Sequence, residues 1–280
     1  MSEVSRAISQ AATRLTEAGV ASPRHDAEAL AAHVLRITRS ALATAEGWLD
    51  GQAAAYDDLV AERARRVPLQ HLTGVAGFRH LDLSVGPGVF VPRPETEVLV
   101  TWGLDTLGSI ISPLVVDLCA GSGAIGLSVL KERADATVYA VEREKPALAW
   151  LHRNAGGSTL QVVAGDATDP DTVADLNGKA DLVLANPPYV PLDAEVEPEV
   201  GEHDPPAALW GGQDGLAVLR GVATRAQALL RPGGWFGVEH ADQQGESVPA
   251  LLRAAAGWAD VADHLDLAGR NRFTTARRGG

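Results

Sequence analysis

Short apolar runs alternate with longer amphipathic segments from residue 114 to residue 276, and this alternation constrains the fold most strongly. The short runs have the length of buried strands, whereas the longer segments repeat their apolar residues at helical spacing. Strands that alternate with helices form a mainly parallel sheet with helices on both faces, so the sequence predicts a doubly wound α/β fold. The seven predicted strands are Leu114–Cys119, Thr137–Val141, Leu160–Ala164, Asp181–Ala185, Trp235–Glu239, Val261–Leu267 and Arg272–Ala276.

Helices are predicted between these strands and in the segment before them. The C-terminal helices are predicted at Ala124–Arg133, Pro146–Asn154, Gly215–Leu230 and Gln243–Ala256. The first 67 residues have only helical patterns, including Ser22-Pro23 as a helix start. Alternating runs broken by glycines between His71 and Val91 predict a β-hairpin. We therefore expect a small all-α domain over 1–67, a β-hairpin linker over 68–92 and an α/β domain over 93–280.

Charge and composition limit the class of partner. The 280 residues carry a formal charge of −12, which disfavours a long nucleic-acid backbone as the main partner because such binding needs clustered Lys and Arg. The single cysteine allows no internal disulfide, and no apolar run approaches the ~18 residues of a membrane span. The N-terminus lacks the apolar core of a signal peptide. We expect a cytoplasmic protein without membrane contact and without a metal, since His25, His33 and His71 show no metal-ligand spacing.

The predicted strand ending at Ala185 breaks abruptly at Asn186-Pro187-Pro188-Tyr189, which we call the acceptor corner. Two consecutive prolines cannot donate backbone hydrogen bonds, so the corner offers carbonyl acceptors but few donors. The Asn186 side chain adds an oxygen acceptor and Tyr189 adds a flat ring. A planar group with two N–H donors, such as a primary amide or the exocyclic amine of a base, suits this corner. An ordinary turn with proline is the weaker alternative.

A glycine-rich segment follows the first predicted strand, at Gly121-Ser122-Gly123-Ala124-Ile125-Gly126. Glycines here permit a tight turn and a close approach of a ligand to the helix N-terminus. The pattern alone also marks nicotinamide and flavin enzymes. Asp117 distinguishes the ligand classes, because the pyrophosphate of a nicotinamide or flavin cofactor gains nothing from another anion inside the preceding strand. A carboxylate there favours a ligand that bears an ammonium and a sulfonium.

The next strand ends carry further acceptors. Glu142 ends the second strand and suits a pair of ribose hydroxyls. Asp166 follows the third strand and can accept from an adenine amino group, although a helix N-cap is a fair alternative. With Asn186 after the fourth strand, four successive strand ends supply polar groups to one edge of the sheet. We therefore predict S-adenosylmethionine as the ligand.

The loop Pro92-Arg93-Pro94-Glu95-Thr96-Glu97 has two open interpretations. Proline-fixed geometry could position Arg93 or Glu95 toward a pocket. The segment could equally be a helix start, where acidic residues are favoured by the helix dipole.

Taken together, these motifs resemble the peptide chain release factor glutamine methyltransferases of the class I methyltransferase fold, over nearly all the chain. The acceptor corner also occurs in enzymes that methylate adenine or cytosine amines of nucleic acids, whereas the 92–97 loop and the closing segment are more particular to the glutamine enzymes. The segments that carry the resemblance are Pro68–Gly74, Pro87–Glu97, Asp117–Ile125, Asn186–Tyr189, Gly211–Leu216 and Asp266–Arg272.

The resemblance implies methyl transfer from S-adenosylmethionine, with S-adenosylhomocysteine as product, to the glutamine of the Gly-Gly-Gln motif of release factors. It implies a helical domain that docks substrate, a hairpin linker and a catalytic domain. Catalytic roles are expected for Asn186, Pro187 and Tyr189. Substrate contacts are expected from Arg93, Glu95, Asn186, Pro187, Pro188 and Tyr189. Cofactor contacts are expected from Asp117, Cys119, Ala120, Gly121, Ser122, Gly123, Glu142, Asp166, Ala167 and Asn186.

Three alternatives stay open beside this interpretation. The first is an amino methyltransferase that acts on a nucleic-acid base through the same corner, against which the acidic charge counts. The second is methylation of a ribosomal-protein glutamine, and the third is a non-catalytic binder that kept the fold.

The sequence departs from the family pattern beside the cofactor. Cys119-Ala120 replaces a common Gly-Thr, and Ala167 stands where a larger side chain is common. We expect Cys119 to be a small buried strand residue rather than a nucleophile. The chain's own Gly211-Gly212-Gln213 is expected to be a turn rather than a site of self-methylation.

Overall fold

A computed structural model describes residues 2–280, which form two compact units. The first unit comprises the chain up to Val75 together with Val196–His203, and the second comprises Ala76–Glu195 and Asp204–Gly280. Within residues 2–280 no helix combines the length and apolar character that a membrane crossing requires.

The first unit is helical, as the sequence predicted. A stripe at helical spacing, with Val4, Ile8 and Leu15, is buried against the second and third helices around Leu30 and Tyr56. Pro23 is the first residue of its helix, where a missing N–H costs nothing. The helices of this part are α1 Glu3–Glu17, α2 Pro23–Leu35, α3 Gln52–Ala64 and α4 Leu69–Thr73, with a 3₁₀ helix at Arg39–Thr44.

Residues 196–203 belong to the first unit although they lie far along the chain, and ion pairs explain why. Arg63 is 7% exposed, and its guanidinium lies 2.7 Å from Asp26 Oδ2 and 3.0 Å from Glu199 Oε1. Arg66 donates to Glu199 Oε1 at 2.6 Å as well. A buried guanidinium needs carboxylate partners, and the segment 196–203 supplies one.

The two-stranded sheet is shorter than predicted. It consists of β1 Val75–Phe78 and β2 Leu81–Ser84, so the predicted span from His71 to Val91 is wrong at both ends. His71 lies in α4, which ends where Gly74 adopts a left-handed conformation with φ of +74°.

The second unit contains the seven-stranded sheet, and its mainly parallel character is confirmed. The spatial order is β5-β4-β3-β6-β7-β9-β8, and β9 runs antiparallel to both neighbours. Chain order reverses direction between β3 and β6, where Leu118 and Ala185 are register partners. The strands are β3 Leu114–Leu118, β4 Thr137–Glu142, β5 Gln161–Ala164, β6 Ala180–Ala185, β7 Leu230–Glu239, β8 Trp258–Leu265 and β9 Asn271–Arg278.

Helices cover both faces of this sheet. Residues of β6 alternate between the two cores: Leu182 and Leu184 face one core, while Val183 and Ala185 face the other. Burial on both faces explains the unbroken apolar run in the sequence. The helices of this unit are α5 Glu97–Leu107, α6 Ala124–Glu132, α7 Lys145–Ala155, α9 Pro206–Leu209, α10 Ala217–Leu229 and α11 Ser247–Ala254, whereas α8 Pro198–His203 belongs to the first unit.

Several boundaries differ from the prediction. Strand β7 begins at Leu230 rather than Trp235, because Leu230 pairs with Ala180 before a bulge. The predicted helix Gln243–Ala256 is wrong at its start: a 3₁₀ helix occupies Asp242–Gln244 and α11 begins only at Ser247.

Candidate active site

The carboxyl ends of the parallel strands carry polar side chains at the reversal point of the sheet. Asp117 lies in β3, Glu142 ends β4, Asp166 follows β5 and Asn186 follows β6. A fifth polar residue, the acidic Glu239, ends β7. Ligands of open α/β sheets bind beyond this edge.

The glycine segment turns the chain from β3 into α6. Gly121 and Gly123 have φ of +55° and +87°, conformations that L side chains rarely adopt. A Cβ on Gly123 would lie 2.6 Å from Leu151 Cδ1, whereas one on Gly121 would meet nothing within 4 Å. The backbone at Gly121 is therefore open to a ligand.

Asp117 is fully buried beneath this turn. Its Oδ2 accepts from the Gly126 backbone amide at 2.9 Å, while its Oδ1 has no hydrogen-bond partner among the described residues. Burial raises the pKa of Asp117 to about 7, a net value that includes the opposing hydrogen bond from Gly126 and a smaller rise from the Glu142 charge. The unpartnered oxygen favours a cationic or hydrogen-bond donating ligand.

Glu142 is fixed by backbone amides rather than left free. Its Oε2 accepts from Gly121 N at 2.9 Å, and its Oε1 accepts from the amides of Arg143 and Glu144 at 2.8 Å. These bonds connect the end of β4 to the glycine turn, so Glu142 shapes the loop at which a ligand would bind.

Asp166 forms a turn of its own. Its Oδ1 accepts from the amide and hydroxyl of Thr168 at 2.8 and 2.7 Å, and its Oδ2 lies 3.2 Å from Arg143 Nη1. No helix begins here, so the alternative of a helix N-cap is wrong, although the same side-chain bonding to the backbone organises the turn. Ala167 is buried beside it.

Cys119 is not a strand residue, in contrast to the prediction. Strand β3 ends at Leu118, and Cys119 has φ of +65°, so it begins the turn in a conformation that favours glycine. Burial raises the pKa of its thiol, and the carboxylates of Glu142 and Asp117 raise it further. The sulfur is therefore protonated at neutral pH and unsuited to act as a nucleophile.

The acceptor corner leaves β6 directly beside this turn. Asn186 donates from Nδ2 to Thr96 Oγ1 at 3.3 Å, and its Oδ1 accepts no hydrogen bond from the described residues. The same holds for the carbonyl oxygen of Pro187, which is itself buried. The corner thus presents two unpaired acceptors on consecutive residues, as its composition predicted.

Tyr189 is held at two points. Its hydroxyl donates to Glu239 Oε1 at 3.1 Å, and its carbonyl oxygen accepts from Gln244 Nε2 at 3.0 Å. Burial raises the pKa of the Tyr189 phenol, and the Glu239 charge adds to this. The ring is consequently fixed and neutral at working pH.

The Gly211–Gly215 segment packs on the acceptor corner. A Cβ on Gly211 would lie 2.7 Å from the Pro188 carbonyl oxygen, and one on Gly215 would overlap the Tyr189 carbonyl oxygen. Gly211 N also donates to Val190 O at 2.9 Å. Close backbone approach therefore explains these glycines.

The 92–97 loop forms a helix start, and the charged side chains of Arg93 and Glu95 differ in their surroundings. A 3₁₀ helix at Pro94–Thr96 leads directly into α5, so the helix-start interpretation describes the backbone. Arg93 is paired with the buried Asp204 at 2.7 Å and lies over the Phe90 ring. Glu95 is exposed.

Two residues at the corner, Thr96 and Glu239, were missed by sequence reasoning. Glu239 could have been found, because it ends a predicted apolar strand as Glu142 does. Nothing local distinguishes Thr96, whose contact with Asn186 spans 90 positions. Within the described residues, no group of three or more His, Cys, Asp or Glu side chains could hold a metal ion.

Comparison with known proteins decides the family. Residues 6–74 match the PrmC N-terminal domain model, and residues 94–202 match the methyltransferase small domain model. The release factor glutamine methyltransferase of Streptomyces coelicolor is 49% identical, with 97% of this chain and 96% of that protein covered. The Mycolicibacterium smegmatis enzyme of the same name is 45% identical, with 99% of both chains covered.

The chain belongs to the release factor glutamine methyltransferase family. It is therefore an enzyme with an S-adenosylmethionine-dependent methyltransferase domain. A methyltransferase structure from Pyrococcus furiosus has the same fold, with a TM-score of 0.52, 15% identity, and coverage of 79% of this chain and 99% of that one. The closing segment of this family member, Asp266–Arg272, spans the β8–β9 turn and the start of β9, and Asp266 accepts from the amides of Ala268 and Arg270.

Proposed function

We propose that this enzyme transfers a methyl group from S-adenosylmethionine to the side-chain amide nitrogen of the glutamine in the Gly-Gly-Gln motif of peptide chain release factors. The observation that carries the proposal is the pair of unpaired acceptors, Asn186 Oδ1 and Pro187 O, at the reversal point of the sheet. A primary amide has two N–H donors in one plane, which matches this pair.

The residues of the glycine turn fit the cofactor. The buried, unpartnered Oδ1 of Asp117 suits its ammonium group, and the open backbone at Gly121 leaves room beside α6. The flanking Cys119, Ala120, Ser122 and Gly123 would line the same turn. Glu142 and Asp166 keep acceptor capacity for the ribose hydroxyls and the adenine amine, with Ala167 beside the base.

The chain's own residues supply orientation and electrostatics. An amide nitrogen is a weak nucleophile because its lone pair is delocalised into the carbonyl. When bound, S-adenosylmethionine supplies an activated methyl group on a sulfonium. Asn186 Oδ1 and Pro187 O would hold the two N–H bonds, align the nitrogen with the methyl group and stabilise the positive charge that develops on nitrogen.

The methyl transfer requires no strong base. A nitrogen–carbon bond forms as the sulfur–carbon bond breaks, the sulfur keeps the electron pair, and the methylated nitrogen loses a proton to water. Tyr189 would pack on the amide plane, fixed by Glu239 and Gln244. Among the predicted substrate contacts, the exposed Glu95 is available to substrate, whereas Arg93 is already neutralised by Asp204.

The test compares Asn186→Ala with wild type on a release factor and labelled cofactor. Methyl transfer should fall by about 10²–10³-fold, the cost of a lost charge-stabilising partner, while cofactor affinity stays within a few fold. Mass analysis of the release factor should locate the added methyl on the motif glutamine. Label on nucleic acid or on a ribosomal protein instead would overturn the substrate, and equal loss of transfer and cofactor binding would overturn the role of Asn186.

A further inference from the structure

The closing segment is one of the segments that carry the family resemblance, yet the proposed reaction does not use it. Its first residue, Asp266, is buried, and Oδ1 of that residue accepts from the amides of Ala268 and Arg270 at 2.9 and 3.0 Å. The other oxygen, Oδ2, accepts from Arg272 Nη2 at 3.1 Å. One carboxylate thereby binds three groups of the same turn. The turn consequently presents the residue that begins β9, Asn271, in a fixed position.

Asn271 joins this turn to the 3₁₀ helix that follows β7. Its Nδ2 donates to the carbonyl oxygen of Asp242 at 3.1 Å. A Cβ on Gly245 would lie 2.4 Å from Asn271 Cγ, although the φ of Gly245 is −60° and suits any residue. Gly245 therefore provides space rather than an unusual conformation, and the Asn271 side chain packs directly on the backbone after the 3₁₀ helix.

Gln244, the last residue of this 3₁₀ helix, continues the contacts to the acceptor corner. It is 6% exposed, its Oε1 accepts from Ala241 N at 2.9 Å, and its Nε2 donates to Tyr189 O at 3.0 Å. Only one orientation of the Gln244 amide satisfies both partners, because a backbone N–H can only donate and a carbonyl can only accept. The side chain is thus a fixed connection between the 3₁₀ helix and the corner.

The Tyr189 carbonyl matters because it lies directly beyond the two prolines. The rings of Pro187 and Pro188 fix φ at both positions, so few backbone rotations remain that could move the Pro187 carbonyl oxygen. The Tyr189 hydroxyl is bound to Glu239 and its carbonyl to Gln244, which restrains the far end of the corner at two separate points. The bond from Gln244 therefore limits the remaining rotations of the backbone that presents the Pro187 acceptor.

We infer that Asn271 is a positioning residue of the acceptor corner: it holds the 3₁₀ helix Asp242–Gln244 in place, so that Gln244 fixes the Tyr189 carbonyl. The closing segment thus supports the substrate site without touching the substrate. This inference rests on the proposed function, since the corner needs accurate placement only if it aligns a substrate amide with the methyl group.

Gln244→Glu tests the contact with the corner. The new carboxylate can still accept from Ala241 N, but it places an oxygen, instead of a donor, against the Tyr189 carbonyl. With a release factor as substrate, kcat should fall about 10- to 100-fold, the cost of a misplaced reacting group. The KM for the release factor and the cofactor Kd should stay within about 3-fold. Unchanged kcat, or an equal loss of kcat and cofactor affinity, overturns the inference.

Gln227→Glu is the matched control. Gln227 Nε2 donates to the Ala256 carbonyl oxygen at 2.8 Å and lies 2.9 Å from a Cβ built on Gly257, so it makes the same kind of contact as Gln244. Gln227 precedes the start of β7 at Leu230, whereas the corner lies beside the end of that strand. Its kcat should stay within about 2-fold of wild type. Equal losses in the two variants overturn the inference, because kcat would then follow general stability.

Asn271→Asp tests the contact with the 3₁₀ helix. It keeps the size of the side chain beside Gly245 but faces the Asp242 carbonyl with an acceptor, so kcat should fall about 5-fold or more, the value of a lost hydrogen bond. In the Gln244→Glu background the same change should cost much less, because the link is already broken. Independent, multiplicative losses overturn the inference. If Gln244→Glu does not fold, Asn271→Asp decides alone, and wild-type kcat in that variant overturns the inference.

A readout without turnover separates this inference from the proposed function. The Gln244 side-chain amide signal in a ¹⁵N NMR spectrum, assigned by its absence in Gln244→Glu, should show a proton protected from exchange with water in wild type and in Gln227→Glu. Asn271→Asp should lose that protection. A wild-type enzyme that methylates no release factor refutes the proposed function, and the amide signal still decides whether Asn271 holds Gln244. Equal exchange in wild type and in Asn271→Asp overturns the inference.

Discussion

Asp117 Oδ2 and the backbone amide of Gly126 form a 2.9 Å hydrogen bond that joins β3 to α6 through a buried carboxylate. The other oxygen of Asp117 is left without a partner in residues 2–280. A Cβ on Gly126 would lie 3.2 Å from Oδ2, so the glycine permits this approach. One side chain thereby fixes the turn with one oxygen and keeps the second for a ligand.

Asp117→Asn should weaken S-adenosylmethionine binding by about 10- to 100-fold, the value of a charge-assisted hydrogen bond. The asparagine oxygen can still accept from Gly126, so the fold should persist. Isothermal titration calorimetry measures the affinity, with Asn186→Ala as the control that keeps it within a few fold. Unchanged affinity in Asp117→Asn would refute the ammonium contact.

Cofactor affinity should rise with pH below neutrality. The pKa of Asp117 is raised to about 7 in the ligand-free protein, and a cationic ligand prefers the ionised carboxylate. Affinity should therefore increase up to about tenfold between pH 5.5 and 6.5 and level off above pH 7. Asp117→Asn should show no such slope, and an equal slope in both proteins would assign the titration elsewhere.

The same raised pKa predicts a loss of stability in the ligand-free protein as pH rises. Because the folded pKa lies above the unfolded value of 3.8, the folded state binds more protons than the unfolded state between pH 3.8 and 7. The contribution of Asp117 is complete below pH 3.8 and is lost as pH rises through 7. Urea denaturation measures the unfolding free energy of wild type and of Asp117→Asn between pH 5 and 8. The wild-type value should fall relative to that of Asp117→Asn as pH rises, and a constant difference would contradict the prediction.

Gly215→Ala should destabilise the enzyme far more than Gly178→Ala. Both glycines have φ of +72°, so both substitutions carry the same backbone strain, about 1 kcal/mol. At Gly178 the added carbon meets nothing within 4 Å, whereas at Gly215 it lies 2.6 Å from Gln244 Nε2 and overlaps the Tyr189 carbonyl. The thermal denaturation midpoint and kcat should both fall for Gly215→Ala. Matching losses in Gly178→Ala would contradict the packing argument.

Arg63→Met should cost about 3–5 kcal/mol of unfolding free energy, because it leaves Asp26 buried without its cation. Arg220→Met is the exposed control: its pair with Asp214 is half exposed on both sides, and such pairs contribute little to stability. Guanidinium denaturation of the full chain measures both. A loss below 1 kcal/mol for Arg63→Met would show that the pair adds little.

Local patterns predicted the sheet well. The positions of Asp117 within β3, Glu142 at the end of β4 and Asn186 directly after β6 follow from apolar runs of strand length, and the reversal of strand order follows from alternation with helices. The unpaired acceptors of the corner follow from proline chemistry, which needs no knowledge of distant residues.

Long-range contacts were not predictable from such patterns. Thr96 meets Asn186, and Arg63 meets Glu199 across 136 positions. The conformation of Cys119 was also missed, because a left-handed φ at a non-glycine residue has no signature in a single sequence.

The ion pairs around Arg63 also affect how this protein can be dissected. A fragment that stops at Val75 lacks Glu199 and leaves a buried guanidinium short of a counter-charge, while the complementary fragment keeps α8 without the side chains that bind it. Neither half is a transplantable module, so a chimaera that exchanges the helical portion between species must exchange residues 196–203 with it.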